Sequence, residues 1–195
     1  FQTCESLTTI ESMSFQSVTS ADLMLKDTEC LTNFPHFNFI AATDLADVFE
    51  LSDFTNTIQT PVSISMHQNT TCDDLFKSAT RVKAIYITGS NNVTNWNEAF
   101  SSCRELTKLE ADMSGGTSFT NTFHNCDVLN VVDIPGIAHN VDFSSCHGMT
   151  KEVLDGIFES LATVSSKTID VSSTIGASTC DTSIATNKGW SVTTS

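Results

Sequence analysis

Apolar residues fall at every third position in seven stretches of the chain, and the stretches recur at intervals of 20 to 27 residues. The clearest is Phe100-Ser-Ser-Cys103-Arg-Glu-Leu106-Thr-Lys-Leu109. The leading residues of the seven stretches are Phe1, Leu25, Phe49, Phe76, Phe100, Phe123 and Phe143. Self-similarity with this period predicts a solenoid, in which each unit buries its apolar face against its neighbours. The third stretch is the weakest, because Ser52 and Thr55 occupy positions that should be buried.

Within one unit the spacing of the apolar residues changes. Apolar pairs four residues apart, such as Trp96 with Phe100, predict a helical or 3-10 turn before the leading residue. The later alternation in residues 109–113, 132–134 and 85–87 predicts a short strand with one buried face. Gly, Asn, Ser and Pro follow and turn the chain. We therefore expect an α/β solenoid with one short parallel strand and one helical or 3-10 turn per unit of about 23 residues.

The C-terminal part of the sequence has a different pattern. Residues 150–161 predict a helix with Val153, Ile157, Phe158 and Leu161 on one face, and residues 168–171 predict a strand. A helical turn at 182–186 and a strand at 190–192 follow, separated by Gly189. We expect a solenoid over residues 1–149 and a segment over 150–195 that caps its open end.

Composition narrows the classes of function. The formal net charge is −14 with nine Lys and Arg, which argues against nucleic acid as a partner. No stretch approaches the roughly 18 consecutive apolar residues of a membrane span, so membrane insertion is not expected. Because the chain begins at Phe1, we expect upstream sequence to be missing, and oligomerisation through such a region stays open.

Candidate chemistry is sparse. Four of the seven Cys occupy one position of the stretches, which elsewhere accepts Ser, Thr and Ala, so buried reduced thiols are expected. These four are Cys4, Cys103, Cys126 and Cys146. A disulfide between Cys126 and Cys146 is the alternative, and the pairing of Cys30, Cys72 and Cys180 is open. His124 and His147 keep a metal site as a minor alternative. No catalytic or phosphate-binding arrangement is apparent, so we expect a protein that is not an enzyme and needs no cofactor or metal.

The stretch Ala99-Phe100-Ser-Ser-Cys103-Arg-Glu-Leu106-Thr-Lys-Leu109 resembles the A-F-x-x-C-x-x-L-x-x-I/L core of the BspA-like leucine-rich repeats. These repeats occur in bacterial surface proteins and in tail or fibre proteins of bacteriophages. The resemblance covers residues 1 to about 149 and departs from the pattern at Thr28, Ser52 and Ala79. The segment from Gly176 to Val192 looks like the closing segment of phage-encoded members. The family has no shared catalytic site, so the resemblance implies none here.

Outward-facing strand positions form the candidate contact surface. They are Glu11, Pro35, Gln59, Tyr86, Glu110 and Asp133, with Asp170 continuing the row; Asp112 is a further outward residue. Solenoids bind partners across such surfaces, and the alternative is a merely solvated polar face. Tyr86 is the expected anchor, since exposed aromatics dominate many interfaces.

These patterns lead to two hypotheses of function. The first is a non-enzymatic structural or host-recognition protein of a phage virion, at a tail, fibre or capsid surface. Its partners would be other virion proteins, or a protein or glycan of the host surface. The second is a BspA-like adhesin, extracellular or on the bacterial cell surface. A secreted hydrolase would need a catalytic cluster that the sequence does not present.

Overall fold

The computed structural model describes residues 1–11, 13–32, 36–52, 56–57, 59–67 and 71–195. Short strands dominate the described chain, with few helices. The strands are β1 (Phe37–Asn38), β2 (Val62–Ser65), β3 (Ala84–Thr88), β4 (Lys108–Ala111), β5 (Val131–Asp133), β6 (Val141–Asp142), β7 (Lys167–Asp170) and β8 (Trp190–Thr193). The helices are α1 (Lys151–Ser160), α2 (Thr182–Thr186) and a 3-10 turn at Ser90–Asn92. Among the described residues, no helix is both long enough and apolar enough to span a membrane.

The strands form two parallel sheets. Strands β1 to β5 lie side by side in chain order, and β6, β7 and β8 make a separate three-stranded sheet. Alternate residues of β2, β3 and β4 point into the core, which gives the period of two along each strand. The α/β class and the parallel pairing are therefore confirmed, whereas the assignment to a leucine-rich-repeat-like solenoid stays a prediction.

The segments around the leading residues are held by a regular set of backbone hydrogen bonds. In four segments, led by Leu25, Phe49, Phe76 and Phe100, four alternate N–H groups donate to carbonyls of the following segment. Trp96, Glu98, Phe100 and Ser102, for example, donate to Ser118, Thr120, Thr122 and His124. We call these bonds the turn ladder. Intervening N–H groups, such as that of Cys103 to the carbonyl of Phe100, close turns over three residues.

The predicted helical turns before the leading residues are wrong in conformation. Residues two positions before and after five of the leading residues, from Leu25 to Phe123, have positive φ, which an α- or 3-10 helix excludes. In the clearest stretch these are Glu98 (φ 50°) and Ser102 (φ 62°). A positive φ at the third residue of a hydrogen-bonded turn is typical of type II turns. Such turns leave alternate N–H groups free to bond the next segment, and a helix would use them internally.

A stack of phenylalanine rings runs through the core. Ring centroids lie 4.7 Å apart for Phe49 and Phe76, 6.1 Å for Phe76 and Phe100, and 6.0 Å for Phe100 and Phe123. Phe123 and Phe143 continue the stack at 4.6 Å. Offset stacking adds to the free energy gained by burying each ring. The leading residues from 25 to 143 are all fully buried as predicted, whereas Phe1 is 49% exposed.

Most other predicted core positions are also buried, whereas Cys4, Leu7 and Val132 are half-buried. Val132 is only half-buried because it lies in β5, at the edge of its sheet. Ser52 and Thr28 are buried polar residues, and the Ser52 hydroxyl donates to the carbonyl of Leu25. That bond removes the cost of burying a hydroxyl at a position that elsewhere holds Cys. The predicted core positions Phe34, Thr55 and Ile58 lie outside the described residues.

The C-terminal elements match their predictions. Helix α1 buries Leu154, Ile157 and Phe158, while Val153 is half-buried, so the apolar face is rotated slightly from the expected one. The carboxylate of Asp181 accepts the N–H of Ser183 and caps α2. Strand β6 lies before residue 150 and pairs with β7, which lies after it. The division at residue 149 stays a prediction.

Candidate functional site

Three of the predicted contact residues are neighbours on the outward face of the five-stranded sheet. Tyr86 pairs in register with Glu110, and Glu110 pairs with Asp133. Tyr86 is 40% exposed, Asp133 is exposed and Glu110 is half-buried. We call the outward side chains of β2 to β5 the sheet face.

Two members of the predicted row are placed differently. Ser63, not Gln59, is the register partner of Tyr86, and Gln59 lies in an exposed turn before β2. The interval between the leading residues is 27 at this point, and the additional residues precede the strand. Asp170 pairs with Asp142 in the three-stranded sheet and therefore does not continue the row. Glu11 is exposed and outside the strands, and Pro35 lies outside the described residues.

A small hollow lies beside Tyr86 on the sheet face. It has a volume of about 170 Å³ and is lined by Pro61, Ile85, Tyr86, Lys108 and Glu110. Lys108 and Glu110 form an ion pair of 2.6 Å between Nζ and Oε1. A cavity of about 150 Å³ accommodates a benzene-sized group, so the hollow has room for one apolar side chain. A hydrophobic centre beside a charged rim is the usual anatomy of a protein interface.

Two hydrogen bonds hold Asp112 in the turn after β4. Its carboxylate oxygen Oδ1 accepts the N–H of Ser114 at 3.0 Å, and its backbone carbonyl accepts the hydroxyl of Ser90 at 2.9 Å. The first bond closes the turn after β4 in the manner of an Asx turn, and the second joins that turn to the 3-10 turn at Ser90–Asn92. The carboxylate of Asp112 therefore stabilises a turn, in contrast to that of Asp133, which is exposed on the sheet face.

Sequence reasoning missed a hydroxyl and imidazole network at the other side of the sheet face. His36 Nδ1 lies 2.8 Å from Ser63 Oγ, and His36 Nε2 lies 2.8 Å from Ser65 Oγ. Ser65 in turn bonds Thr88 at 2.8 Å. No carboxylate contacts His36 among the described residues, so this group lacks the third member that orients a catalytic histidine. The alternation Val62-Ser-Ile64-Ser was the signal that would have placed Ser63 on the face.

An acidic cluster lies away from the sheet face, on the turn ladder. One carboxylate oxygen from each of Asp47, Glu50 and Asp74 lies within 4.8 Å of the others, which is metal-ligand spacing. Lys26 pairs with Asp47 and Glu50, and Lys77 pairs with Asp74 at 3.2 Å. Burial raises the pKa of the Asp47 carboxyl, and the neighbouring Glu50 raises it further. The lysines thus supply the positive charge that a cation would bring.

The histidines considered for a metal site are engaged separately. His124 Nδ1 lies 3.3 Å from the hydroxyl of Ser145, whereas His147 Nδ1 lies 3.2 Å from the carboxylate of Asp127. In the part of the chain that the structure describes, the acidic cluster is the one group of three ligands at metal spacing. The structure therefore does not join His124 and His147 in one site.

Four of the seven cysteines are core residues: Cys72, Cys103, Cys126 and Cys146 are buried, whereas Cys30 is exposed. All seven are free thiols, so the alternative of a Cys126–Cys146 disulfide is wrong. The thiols of Cys103 and Cys126 donate to the carbonyls of Phe76 and Phe100, each at 3.1 Å. Burial raises the pKa of the Cys103 thiol well above its usual range, which keeps it from acting as a thiolate nucleophile. Cys4, at the same position of the first stretch, is only half-buried.

Comparisons with family models, curated proteins and solved structures found no match to this chain.

Proposed function

We propose that this chain is a leucine-rich-repeat solenoid of the BspA-like kind, and that it binds a partner protein across the sheet face without catalysing a reaction. Three observations support the solenoid. The turn ladder joins consecutive segments in the same register, the parallel strands follow in chain order, and the phenylalanine stack is continuous from Phe49 to Phe143. In such a fold every unit contacts its neighbours alone, as these bonds do.

The hollow beside Tyr86 is the observation that most supports the proposed binding. Tyr86 is the one tyrosine of the chain, and it stands exposed over an apolar hollow bordered by the Lys108–Glu110 pair. An exposed aromatic ring and a pocket of side-chain size are features of interface hot spots. The ordered row Ser63, Tyr86, Glu110 and Asp133 presents one side chain per strand, which suits a protein surface of regular spacing.

We place the protein in a phage virion, at a tail, fibre or capsid surface. The partner is then another virion protein or a host-surface protein. A BspA-like adhesin on a bacterial cell surface is the second candidate, because the same repeat pattern occurs there. Mass spectrometry of purified particles separates the two: a fixed copy number per particle supports the virion, and recovery from the cell envelope alone contradicts it.

The experiment on the site is a Tyr86→Ala variant. Loss of an interface anchor should weaken binding of the labelled protein to its particle or cell surface by about 30-fold, equivalent to about 2 kcal/mol. Ile175→Ala is the matched control, since Ile175 is a 72% exposed apolar residue outside the sheet face. Equal binding by the two variants, with both folded by circular dichroism, would exclude Tyr86 as the anchor.

A further inference from the structure

A second and larger groove lies where the turn ladder stops. It has a volume of about 520 Å³, and residues 117–121 form one wall while residues 139–142 with Lys167, Thr168 and Asp170 form the other. Its volume lies in the range of about 300–1,000 Å³ that is common for ligand pockets. This groove shares no lining residue with the hollow beside Tyr86, so it is a separate site from the one under proposed function.

The groove exists because one interval in the chain is short. The leading residues Phe123 and Phe143 are 20 positions apart, against 23 to 27 for the other intervals. Residues 141–142 form β6, and β6 pairs with β7, which follows it in the chain. Contact with the preceding segment resumes at the leading residues, where the rings of Phe123 and Phe143 stack at 4.6 Å, and further on the N–H of Gly148 donates to the carbonyl of Asp127. The two segments therefore diverge at residues 117–121 and converge from residue 123 onward.

Backbone donors are left open along this gap. In the four preceding segments the N–H groups four and two positions before the leading residue donate to the next segment. The equivalent groups here are those of Phe119 and Asn121, and neither has a hydrogen-bond partner within the described residues. Asn121 has φ 52°, like Asp74 and Glu98 at the same position of earlier segments. The shared conformation directs its N–H toward the space that the next segment would fill.

The opposite wall carries acceptors with spare capacity. Asp142 and Asp170 are register partners on β6 and β7. Each uses Oδ1 to accept one backbone N–H, from Ser144 at 2.7 Å and from Ser172 at 2.9 Å. No described residue bonds the second oxygen of either carboxylate. Two carboxylates side by side repel each other, and Lys167 is the one ammonium group among the groove's lining residues. The charged side chains of the groove therefore favour a cationic occupant.

A further polar atom points to an occupant or a bound water. The Nδ1 atom of His139, which lines the groove, is buried without a hydrogen-bond partner among the described residues. Buried polar atoms in native proteins are nearly always bonded. Together the groove offers open N–H donors on one wall, and unsatisfied nitrogen and carboxylate atoms on the other.

We propose that this groove binds an extended peptide segment of a partner protein, with Lys or Arg at alternate positions. An extended chain presents carbonyls on one edge at every second residue, which matches open N–H groups at Phe119 and Asn121. Its side chains project from the two faces, perpendicular to that edge, and Lys or Arg at alternate positions puts the positive charges on one face, where they complement Asp142 and Asp170. The peptide carbonyls accept the N–H groups that, elsewhere in the turn ladder, donate to the following segment. This mode of binding is strand addition.

The test is an NMR titration of the ¹⁵N-labelled protein with the acetylated and amidated hexapeptide Thr-Lys-Thr-Lys-Thr-Lys at millimolar concentration. Binding should shift the amide signals of Phe119 and Asn121 and slow their hydrogen exchange, while that of Tyr86 stays unchanged. The probe contains every feature that the proposal invokes, the backbone carbonyls and the alternate cations. Unshifted signals at Phe119 and Asn121 would overturn the proposal.

Variants and alternative probes sharpen the titration. The double variant Asp142→Asn with Asp170→Asn keeps both Oδ1 acceptors and should bind about three- to tenfold more weakly at low salt, as expected for two exposed ion pairs. Glu159→Gln, at an exposed position of α1 that lines neither the groove nor the sheet face, is the control and should bind as the parent does. Replacing Lys by Glu in the hexapeptide should weaken its binding to the parent protein at least as much as the double variant weakens binding of the Lys peptide. Shifts produced by cellotriose but not by the basic peptide would assign the groove to a glycan and reject the peptide.

Discussion

Positive φ values recur two residues before and two residues after the leading apolar residue of five segments. The ten residues are Leu23, Asp27, Asp47, Leu51, Asp74, Ser78, Glu98, Ser102, Asn121 and Asn125. None is glycine, although a left-handed conformation costs an ordinary residue roughly 1–2 kcal/mol. The turn ladder offsets this cost, because the N–H of each such residue in the first four of these segments donates to the following segment. The sequence carries no glycine signal at these positions, which is why helical turns were predicted.

Substitution of Ser102 tests whether the left-handed conformation of a single residue costs stability. It has φ 62°, and its N–H donates to the carbonyl of His124 at 2.7 Å. Ser102→Gly keeps the bond and removes the left-handed penalty, so we expect a gain of about 0.5–1 kcal/mol in the free energy of unfolding after the entropy of glycine is deducted. Urea denaturation measures it. Ser102→Ala retains Cβ and should leave stability nearly unchanged; a gain equal to that of glycine would refute the strain.

Elements with a clear period were predictable from the sequence, and elements fixed by the neighbouring segment were not. Strands β3, β4 and β5 follow from alternation, and α1 follows from its apolar face. The position of β2 was missed because the longer interval before it moved the register from Gln59 to Ser63. The groove was likewise invisible, since it depends on which N–H groups find a partner after the shortened interval. Tyr86, Glu110 and Asp133 were placed correctly because their strands lie in consecutive units of nearly equal length.

Two glycines give a matched test at the scale of an element. Gly89 follows β3 with φ 74°, and a Cβ atom there would lie 1.8 Å from the carbonyl oxygen of Met66. Gly89→Ala should therefore lower the free energy of unfolding by at least about 2 kcal/mol, through backbone strain and displacement of the chain after β2. Thermal unfolding followed by circular dichroism measures the change.

Gly156 supplies the control in the same chain. It is exposed within α1, and a Cβ there meets nothing within 4 Å. Gly156→Ala should raise the free energy of unfolding by about 0.5–1 kcal/mol, because alanine is the better helix former. If both glycine variants changed stability in the same direction, the tight approach at Gly89 would not be the cause.

At the scale of the whole molecule, the parallel arrangement sets like charges beside one another along the turn ladder. A net charge of −14 is spread over consecutive segments, and residues at the same position of adjacent segments become neighbours. Asp22, Asp47 and Asp73 all have a pKa raised above the usual value, with burial as the largest cause and nearby carboxylates as further ones. Lys26 and Lys77 offset part of this repulsion. Lys26 pairs with two acids of the following segment, and Lys77 pairs with one acid of its own segment and one of the following segment.

The sign of the pH dependence follows from these carboxyls. An aspartate has a pKa of about 3.9 in the unfolded chain, so at pH values between this and the raised folded pKa the folded state binds more protons. The free energy of unfolding then falls as the pH rises through that interval. Asp181 and Glu152 act in the opposite direction, because hydrogen bonds from Ser183 and Thr150 lower their pKa. Both carboxyls are fully exposed, so solvent screens their contribution and the clustered aspartates decide the slope.

Asp47→Asn isolates that contribution, and Asp27→Asn is its matched control. Both positions have positive φ, 54° and 59°, so the tolerance of asparagine for this conformation affects both variants alike. We expect Asp47→Asn to raise the free energy of unfolding at pH 7 by up to about 0.5 kcal/mol relative to the control. It should also flatten the decline in stability as the pH rises above about 4, because burial and Glu50 raise the pKa of Asp47. Denaturation series at several pH values measure both effects. If the free energy of unfolding declined equally steeply with pH in the two variants, the acidic cluster would impose no cost on stability, because Lys26 would neutralise it fully.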